Sequence, residues 1–215
     1  MNHYSHIIWD WNGTLFDDRL HCLHVMNGML KERQMPVMQQ LSDYQQAFAF
    51  PISKYYQNVG FDFEKETFEQ LAAEFITKYH ANKTGNSPLH HNAQKILTTI
   101  QEMGIKQIIL SASKQENLRL QVSEFRIAPY FAEILGIADI YAKSKIEIGL
   151  NYLKNNKTAN LLLIGDTVHD YEVATRLDAD CILFSKGHQN RKTLTACGVP
   201  IIDDLADLEK IIKKL

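Results

Sequence analysis

Carboxylates are the residues of this chain that could do chemistry, and the first of them is Asp10. It follows the apolar run Ile7-Ile8-Trp9 and precedes a turn at Gly13. A carboxylate delivered to the end of a short strand in this way indicates a nucleophilic aspartate. Asn12 lies two residues further on, where a phosphate-hydrolysing version of such a motif is expected to carry a second acid. The motif therefore indicates nucleophilic catalysis by Asp10, and Asn12 puts in question the step that a second acid would perform.

Two further polar residues, Ser111 and Asp166, come directly after apolar runs, and Asp170 follows the second of them by four positions. Residues outside the carboxyl ends of the strands of an open parallel sheet share one crevice. We therefore expect Asp10, Asp166 and Asp170 to form a cluster of oxygen ligands that would repel one another without a cation. Mg²⁺ fits best, since it prefers one or two carboxylates, water and a substrate phosphate. The alternative for each acid taken alone is a turn or helix-cap residue.

A phosphate bound beside carboxylates also needs positive charge from the protein, and Lys145 is the first candidate. Ser144 and Glu147 have the spacing of a capping box, which predicts that a helix begins there. Lys145 would lie in its first turn, where the ammonium and the free backbone N–H groups both suit an anion. Lys143, just outside that helix, is the second candidate. The alternative for both is a surface lysine.

Strand-like runs alternate with segments of helical period, which predicts an α/β fold with a Rossmann-like parallel sheet flanked by helices. The predicted strands are 7–9, 107–110, 161–164, 181–184 and 200–202, with a further one at 133–135. Apolar residues at helical spacing predict helices around 93–103 and 118–125.

The segment 18–85 interrupts this alternation, because it offers two apolar helical faces and no strand pattern. Leu20, Leu23 and Leu30 fall in one predicted helix, and the apolar residues from Phe68 to Tyr79 fall in the other. We therefore predict a Rossmann-like core at 1–17 and 86–215 and a helical cap domain at 18–85. An insertion directly after a catalytic strand is well placed to act as a lid.

Composition limits the partners of the chain. A formal net charge of −2 and an isoelectric point near 6.5 over 215 residues give no attraction for nucleic acid or an anionic membrane. No apolar run approaches the roughly 20 residues of a membrane span. Three cysteines at spacings that match no zinc pattern indicate thiols in a reducing compartment, so we expect a cytoplasmic protein. The oligomeric state is left open.

These motifs, in this order, resemble those of the haloacid dehalogenase-like superfamily, in its phosphatase branch with a helical cap after the first motif. The resemblance extends over essentially the whole chain and is strongest to phosphoglycolate phosphatase-like proteins. The corresponding residues are Asp10 to Asp17 for the first motif, Ser111 for the second, Lys145 for the third and Gly165 to Asp170 for the fourth.

The resemblance implies a two-step mechanism in which Asp10 forms an aspartyl-phosphate that water hydrolyses. Asp10, the backbone carbonyl of Asn12 and Asp166 would bind Mg²⁺, with Asp170 binding it directly or through water. Ser111 and the backbone N–H groups of the next two residues, Ala112 and Ser113, would hold a phosphoryl oxygen. Lys145 would hold the nucleophile.

Asn12 cannot transfer the proton that an acid at its position would transfer in this family. Positioned acid or base catalysis contributes about 10²–10⁴-fold, so turnover would be slowed, and slow hydrolysis of the aspartyl-phosphate would let a phosphoenzyme accumulate. His169, inside the fourth motif, is a candidate substitute, and the alternative is a loop residue that hydrogen-bonds locally to the site.

Three functions follow from these residues. The first is an Mg²⁺-dependent phosphatase of a small phosphorylated metabolite. The second is a phosphate-binding or regulatory protein with little or no hydrolase activity. The third, a dehalogenase or phosphonatase, is disfavoured because a dehalogenase has no use for a metal cluster.

Overall fold

A six-stranded parallel sheet forms the centre of the computed structural model, which describes residues 4–81, 87–137 and 145–214. Its strands are β1 (His6–Trp9), β2 (Lys106–Lys114), β3 (Glu133–Ile137), β4 (Leu161–Gly165), β5 (Asp180–Phe184) and β6 (Ile201–Ile202). Their order across the sheet is β3-β2-β1-β4-β5-β6, and every pairing is parallel. The predicted strands and the predicted α/β, Rossmann-like fold class are confirmed.

Helices cover both faces of the sheet, as parallel strands require. One face packs against α5 (Ala93–Glu102), α6 (Gln115–Glu124) and α10 (Asp207–Lys214). The other packs against α7 (Lys145–Asn155), α8 (Val168–Arg176) and α9 (Arg191–Thr195). Strands β1 and β4 are buried along their whole length, which explains why both read as continuous apolar runs.

Strand β1 lies between β2 and β4, at the point where the chain changes direction across the sheet. After β1 the chain builds outward to β3 on one side, and it then returns to place β4 on the other side. The register pairs Trp9 with both Ile109 and Ile164. Ligands of open α/β sheets bind at such a switch point, and Asp10 is the first residue beyond it.

The first motif is fixed to the core by two buried tryptophans. Trp9 Nε1 donates to the side chain of Gln107 at 3.0 Å, and Trp11 Nε1 donates to that of Gln121 at 2.9 Å. A buried indole N–H without a partner would be costly, so these contacts satisfy both donors. The two residues that flank Asp10 in sequence are thus both hydrogen-bonded to the core.

Four helices follow β1 within the predicted cap, where two were predicted. They are α1 (Arg19–Glu32), α2 (Leu41–Ala47), α3 (Ile52–Asn58) and α4 (Phe68–Ala81), and they enclose an apolar cluster of their own. The short helices α2 and α3 gave no extended apolar period, so the pattern did not reveal them. Leu20, Leu23 and Leu30 lie in one helix, α1, as predicted, although the side chain of Leu20 is 56% exposed.

The two connections between β1, the cap and the rest of the core run side by side. The N–H of Asp17 donates to the carbonyl of Pro88, and the N–H of His90 donates to that of Leu15, both at 2.9 Å. Residues 82–86, where the predicted cap returns to the core, lie outside the described residues. Among the described helices, none combines the length and apolar character that would cross a membrane.

Candidate active site

Three buried carboxylates meet at the carboxyl ends of β1 and β4. Asp10 directly follows β1, Asp166 directly follows β4, and Asp170 lies in the first turn of α8. Each offers an oxygen, and these oxygens lie within 4.8 Å of one another. The structure therefore brings together the three acids that the sequence grouped.

Glycines allow the backbone to pack closely around Asp166. Gly13 has a φ of +81°, and a Cβ there would lie 2.4 Å from Oδ2 of Asp166. A Cβ on Gly187 would lie 2.1 Å from the Cβ of Asp166. Since real Cβ atoms do not approach so closely, both positions need glycine for this carboxylate to keep its place.

Lys145 joins two of the acids. It is the first residue of α7 and 3% exposed, and its Nζ lies 2.6 Å from Oδ1 of both Asp10 and Asp170. Burial alone would lower the pKa of Lys145, but the charges of Asp10 and Asp170 raise it, so the ammonium stays protonated. Lys143, the second candidate, and Ser144 lie outside the described residues.

Asp170 also caps its own helix. Its Oδ2 accepts from the backbone N–H groups of Asp166 and Thr167 and from the Thr167 hydroxyl, which completes a capping box at the start of α8. Burial would raise the pKa of Asp170, but Lys145 and then Thr167 lower it below the ordinary value. Both of its oxygens are thus engaged within the protein, so the helix-cap alternative holds for this acid.

For Asp10 and Asp166, burial outweighs the contacts that oppose it. Burial raises the pKa of Asp10, against the pull of Lys145, and the charges of Asp170 and Asp166 add to the rise. Burial likewise raises the pKa of Asp166, although His188 opposes it. Three carboxylates around one ammonium leave local negative charge unbalanced, which is the environment that a divalent cation stabilises.

Ser111 lies inside β2, and the prediction that it follows the strand is wrong. Strand β2 continues to Lys114, with an irregular register against β3 between Leu110 and Lys114. Ser111 is buried, and its Oγ accepts the N–H of Ser113 at 3.0 Å, so that N–H is already engaged. Ala112 between them is exposed. This segment contacts the first motif through the Ser113 hydroxyl, which donates to Asn12.

Asn12 connects the core to the cap through both atoms of its amide. Its Oδ1 accepts from the Ser113 hydroxyl at 2.6 Å, and its Nδ2 donates to Oδ2 of Asp18 at 2.8 Å. The Tyr79 hydroxyl, from α4, donates to the same Asp18 oxygen at 2.7 Å. An aspartate at position 12 would therefore face a second carboxylate.

His188 and Asp18 form a buried ion pair that sequence reasoning missed. Nε2 of His188 lies 3.2 Å from Oδ1 of Asp18, and the backbone N–H of His188 donates to Oδ2 of Asp166 at 2.6 Å. Burial would lower the pKa of His188, but Asp18 raises it to about 9. Burial would raise the pKa of Asp18, but His188 lowers it to about 2. In the sequence, Asp18 is recognised only as the first residue of the predicted cap, and no motif marks His188.

His169 lies in α8, so the interpretation of this residue as a loop residue is wrong. Its ring stacks on Phe50 of the cap with centroids 4.9 Å apart, and Nδ1 lies 3.2 Å from the Glu172 carboxylate. Neither contact is with the acid cluster.

Replacing His169 by Asn is accordingly expected to leave kcat within about twofold and the pH profile unchanged, because a lost proton carrier would cost about 10²–10⁴-fold. Steady-state kinetics from pH 5 to 9 measure this. A flattened pH profile together with a fall in kcat would return His169 to the mechanism.

The sequence matches one family model, described as haloacid dehalogenase-like hydrolase, over residues 7–184. The chain therefore belongs to the haloacid dehalogenase-like hydrolase family. No protein of curated function matches the sequence.

Solved structures of the same fold align with nearly the whole chain. A predicted phosphatase from Clostridium acetobutylicum is 18% identical, with a TM-score of 0.78 and 99% of each chain covered. A predicted phosphoglycolate phosphatase from Haemophilus somnus 129PT is 19% identical, with a TM-score of 0.75, covering 98% of this chain and 99% of that one. Protein tyrosine kinase A from Mycobacterium tuberculosis is 18% identical, with a TM-score of 0.81, covering 97% and 98%. At these identities the likeness shows the fold alone.

Proposed function

We propose that this protein is an Mg²⁺-dependent phosphatase that hydrolyses a small phosphorylated metabolite through an aspartyl-phosphate on Asp10. The observation that carries the proposal is the buried cluster of Asp10, Asp166 and Asp170, bridged by Lys145 at the switch point of the sheet. Family membership and the phosphatase names of two aligned structures support the same reaction class.

Asp10 is the proposed nucleophile. Its Oδ1 accepts from Lys145, while no described residue donates a hydrogen bond to Oδ2. Oδ2 is therefore the oxygen that would attack phosphorus, with the alcohol of the substrate leaving, and water would then hydrolyse the acyl phosphate. Lys145 would hold the attacking carboxylate in place and balance charge during both steps.

Ser111 and the backbone N–H of Ala112 are proposed to bind a phosphoryl oxygen. Ala112 is exposed at the end of β2, and the Ser111 hydroxyl is free to donate its own proton, since the contact with Ser113 uses only its oxygen as an acceptor. Donors preorganised in this way stabilise the charge that develops on a transferring phosphoryl group.

The acid cluster fits Mg²⁺ as the metal of the reaction. Its donors are all hard oxygens, and Lys145 is the ammonium that contacts two of the three carboxylates. Asp10, Asp166 and the backbone carbonyl of Asn12 would hold the ion, with Asp170 binding it directly or through water. When bound, the ion would neutralise carboxylates and orient the phosphate.

Residues 18–85 are proposed to act as the cap that encloses the substrate. The contacts of Asn12 with Asp18, and of Asp18 with Tyr79, join cap and core beside the acids. A site closed over in this way suits a small phosphorylated metabolite. Lys54, exposed on α3, would be available to a second anionic group of the substrate.

A panel of phosphorylated metabolites, assayed for phosphate release with Mg²⁺ and after chelation, tests the proposal. We expect hydrolysis that chelation removes and that added Mg²⁺ restores. If no ester is hydrolysed while inorganic phosphate still binds, as calorimetry would detect, the phosphate-binding alternative is favoured. Hydrolysis that is indifferent to chelation would contradict the role of the metal.

Asn12 and Asp18 are hydrogen-bonded to each other, and swapping the residue types at positions 12 and 18 is expected to speed hydrolysis. In Asn12→Asp alone, two buried carboxylates would lie about 2.8 Å apart, so we expect a lower melting temperature and a proton shared between them. The double variant Asn12→Asp/Asp18→Asn keeps the net charge and the hydrogen bond, with donor and acceptor reversed. It should raise kcat for alkyl phosphates by up to about 10²-fold, since a positioned acid is supplied.

Thermal unfolding and kcat of both single variants and the double variant measure this exchange, and Asp18→Asn alone is the matched control. That control loses the partner of His188 without gaining an acid. An Asn12→Asp protein that is as stable as wild type and as fast as the double variant would show that Asp18 does not constrain position 12.

A further inference from the structure

We propose that Asp18, Cys22 and His188 form a second metal site, suited to Zn²⁺, between the first cap helix and the core. All three residues are buried, and their donor atoms lie within 4.8 Å of one another. Oδ1 of Asp18 lies 3.2 Å from Nε2 of His188, and Oδ2 of Asp18 lies 3.5 Å from Sγ of Cys22. Edges of about 3.4 and 3.6 Å follow from the usual zinc bond lengths in a tetrahedron. The two distances involve different oxygens of Asp18, so a single ion would bind all three residues after a small shift of the Asp18 carboxylate.

Two buried polar atoms without hydrogen-bond partners point to a ligand at this place. Oδ1 of Asp18 receives no directed hydrogen bond from any described residue, although the residue is only 1% exposed. The hydroxyl of Tyr55, 3% exposed, is also without a partner. Oδ1 of Asp18 has the ion-pair contact with His188 at 3.2 Å but no directed hydrogen bond, and a cation bound there would compensate its buried charge more fully.

The chemistry of the donors selects the metal. A thiolate, an imidazole and a carboxylate form a mixed sulfur, nitrogen and oxygen set, which suits Zn²⁺, whereas Mg²⁺ prefers oxygen alone. The acid cluster around Asp10 offers only oxygens. The charges of Asp18 and of a Cys22 thiolate would balance the ion, with the thiol proton of Cys22 and the Nε2 proton of His188 both released to solvent on binding.

The surroundings hold the donors in place. Asp18 and Cys22 are four residues apart at the start of α1, on one face of the helix, and Cys22 N–H donates to the Asp18 carbonyl at 2.8 Å. The Tyr44 hydroxyl lies 2.7 Å from Nδ1 of His188 and fixes the ring with Nε2 toward the cluster. Because His188 belongs to the core and Cys22 to the cap, an ion here would join the two.

Cobalt titration of the full chain, stripped of metal by chelation, tests this site, because Co²⁺ bound to a thiolate absorbs by charge transfer. Wild type is expected to show this absorption at one equivalent of Co²⁺, and one equivalent of Zn²⁺ should abolish it. Excess Mg²⁺ should leave it in place. Cys22→Ser should lose the band, whereas the matched control Cys197→Ser, a free cysteine outside the cluster, should keep it.

Thermal unfolding provides a second readout. Zn²⁺ should raise the melting temperature of wild type and of Cys197→Ser, because an ion that binds only the folded state stabilises it. His188→Gln, which keeps the thiol, should bind Zn²⁺ at least about tenfold more weakly. Absence of a charge-transfer band in wild type, a band that survives in Cys22→Ser, or its displacement by Mg²⁺ would each overturn the proposal.

Discussion

Replacement of Asp10 by Asn is expected to abolish phosphate release, with a fall in kcat of at least about 10⁴-fold. The amide nitrogen cannot attack phosphorus, and the amide oxygen is a far weaker nucleophile than a carboxylate. The remaining groups, including Lys145 and Asp166, would still bind phosphate and metal. The loss should therefore fall on kcat, while phosphate binding measured by calorimetry persists.

The Asp10→Asn protein should remain folded, because the amide oxygen can still accept from Lys145 at the present 2.6 Å contact. Circular dichroism and thermal unfolding check this. Rapid-quench mass spectrometry should find a phosphoenzyme in wild type during turnover and none in the variant. Since Asn12 cannot activate the hydrolytic water, we expect this intermediate to accumulate. Phosphate release that survives the substitution would mean another nucleophile.

The residues at strand ends could be predicted from sequence for a simple physical reason. Buried parallel strands read as unbroken apolar runs, and the residue after each run must emerge at one edge of the sheet. That reasoning brought Asp10 and Asp166 together across more than 150 positions. Lys145 could be predicted as a site residue because it lies in the first turn of a predicted helix, where the ammonium and the free backbone N–H groups both suit an anion.

The neighbours of Asn12 could not be predicted in the same way. Asp18, Tyr79 and His188 come from three elements whose relative positions depend on how the cap packs, and no local pattern encodes that packing. Ser111 was misplaced because an irregular strand pairing has no signature in the period of the apolar residues.

The structure changes what the missing acid means. Sequence reasoning treated Asn12 as the loss of one proton carrier, with the rest of the site unaffected. In the structure, both Oδ1 and Nδ2 of Asn12 make hydrogen bonds. Nδ2 donates to the carboxylate of Asp18, which would repel a carboxylate at position 12. Asn12 and Asp18 are therefore best understood as a matched pair, and the effect of an acid at position 12 has to be measured with both residues exchanged as well as with each replaced alone.

Replacement of Lys145 by Met is expected to have the second largest effect, on activity and stability together. The ammonium is buried between Asp10 and Asp170, so its removal leaves two carboxylates without their cation. Breaking a buried pair by removing one partner costs about 3–5 kcal/mol of the free energy of unfolding. Loss of charge balance at the nucleophile should also lower kcat by at least about 10²-fold.

The stability loss should depend on pH, and its sign follows from Asp170. Lys145 holds the pKa of Asp170 below its ordinary value near 3.8, so the stabilisation is present above that value and is lost as pH falls through the lowered pKa. Urea unfolding at several pH values should thus give a full difference between wild type and Lys145→Met at pH 7 and a shrinking one below about pH 4. Lys154→Met, at an exposed position on the same helix, is the matched control and should change neither stability nor kcat. A difference that stays constant into acid would mean that packing of the lysine stem, and not its charge, stabilises the site.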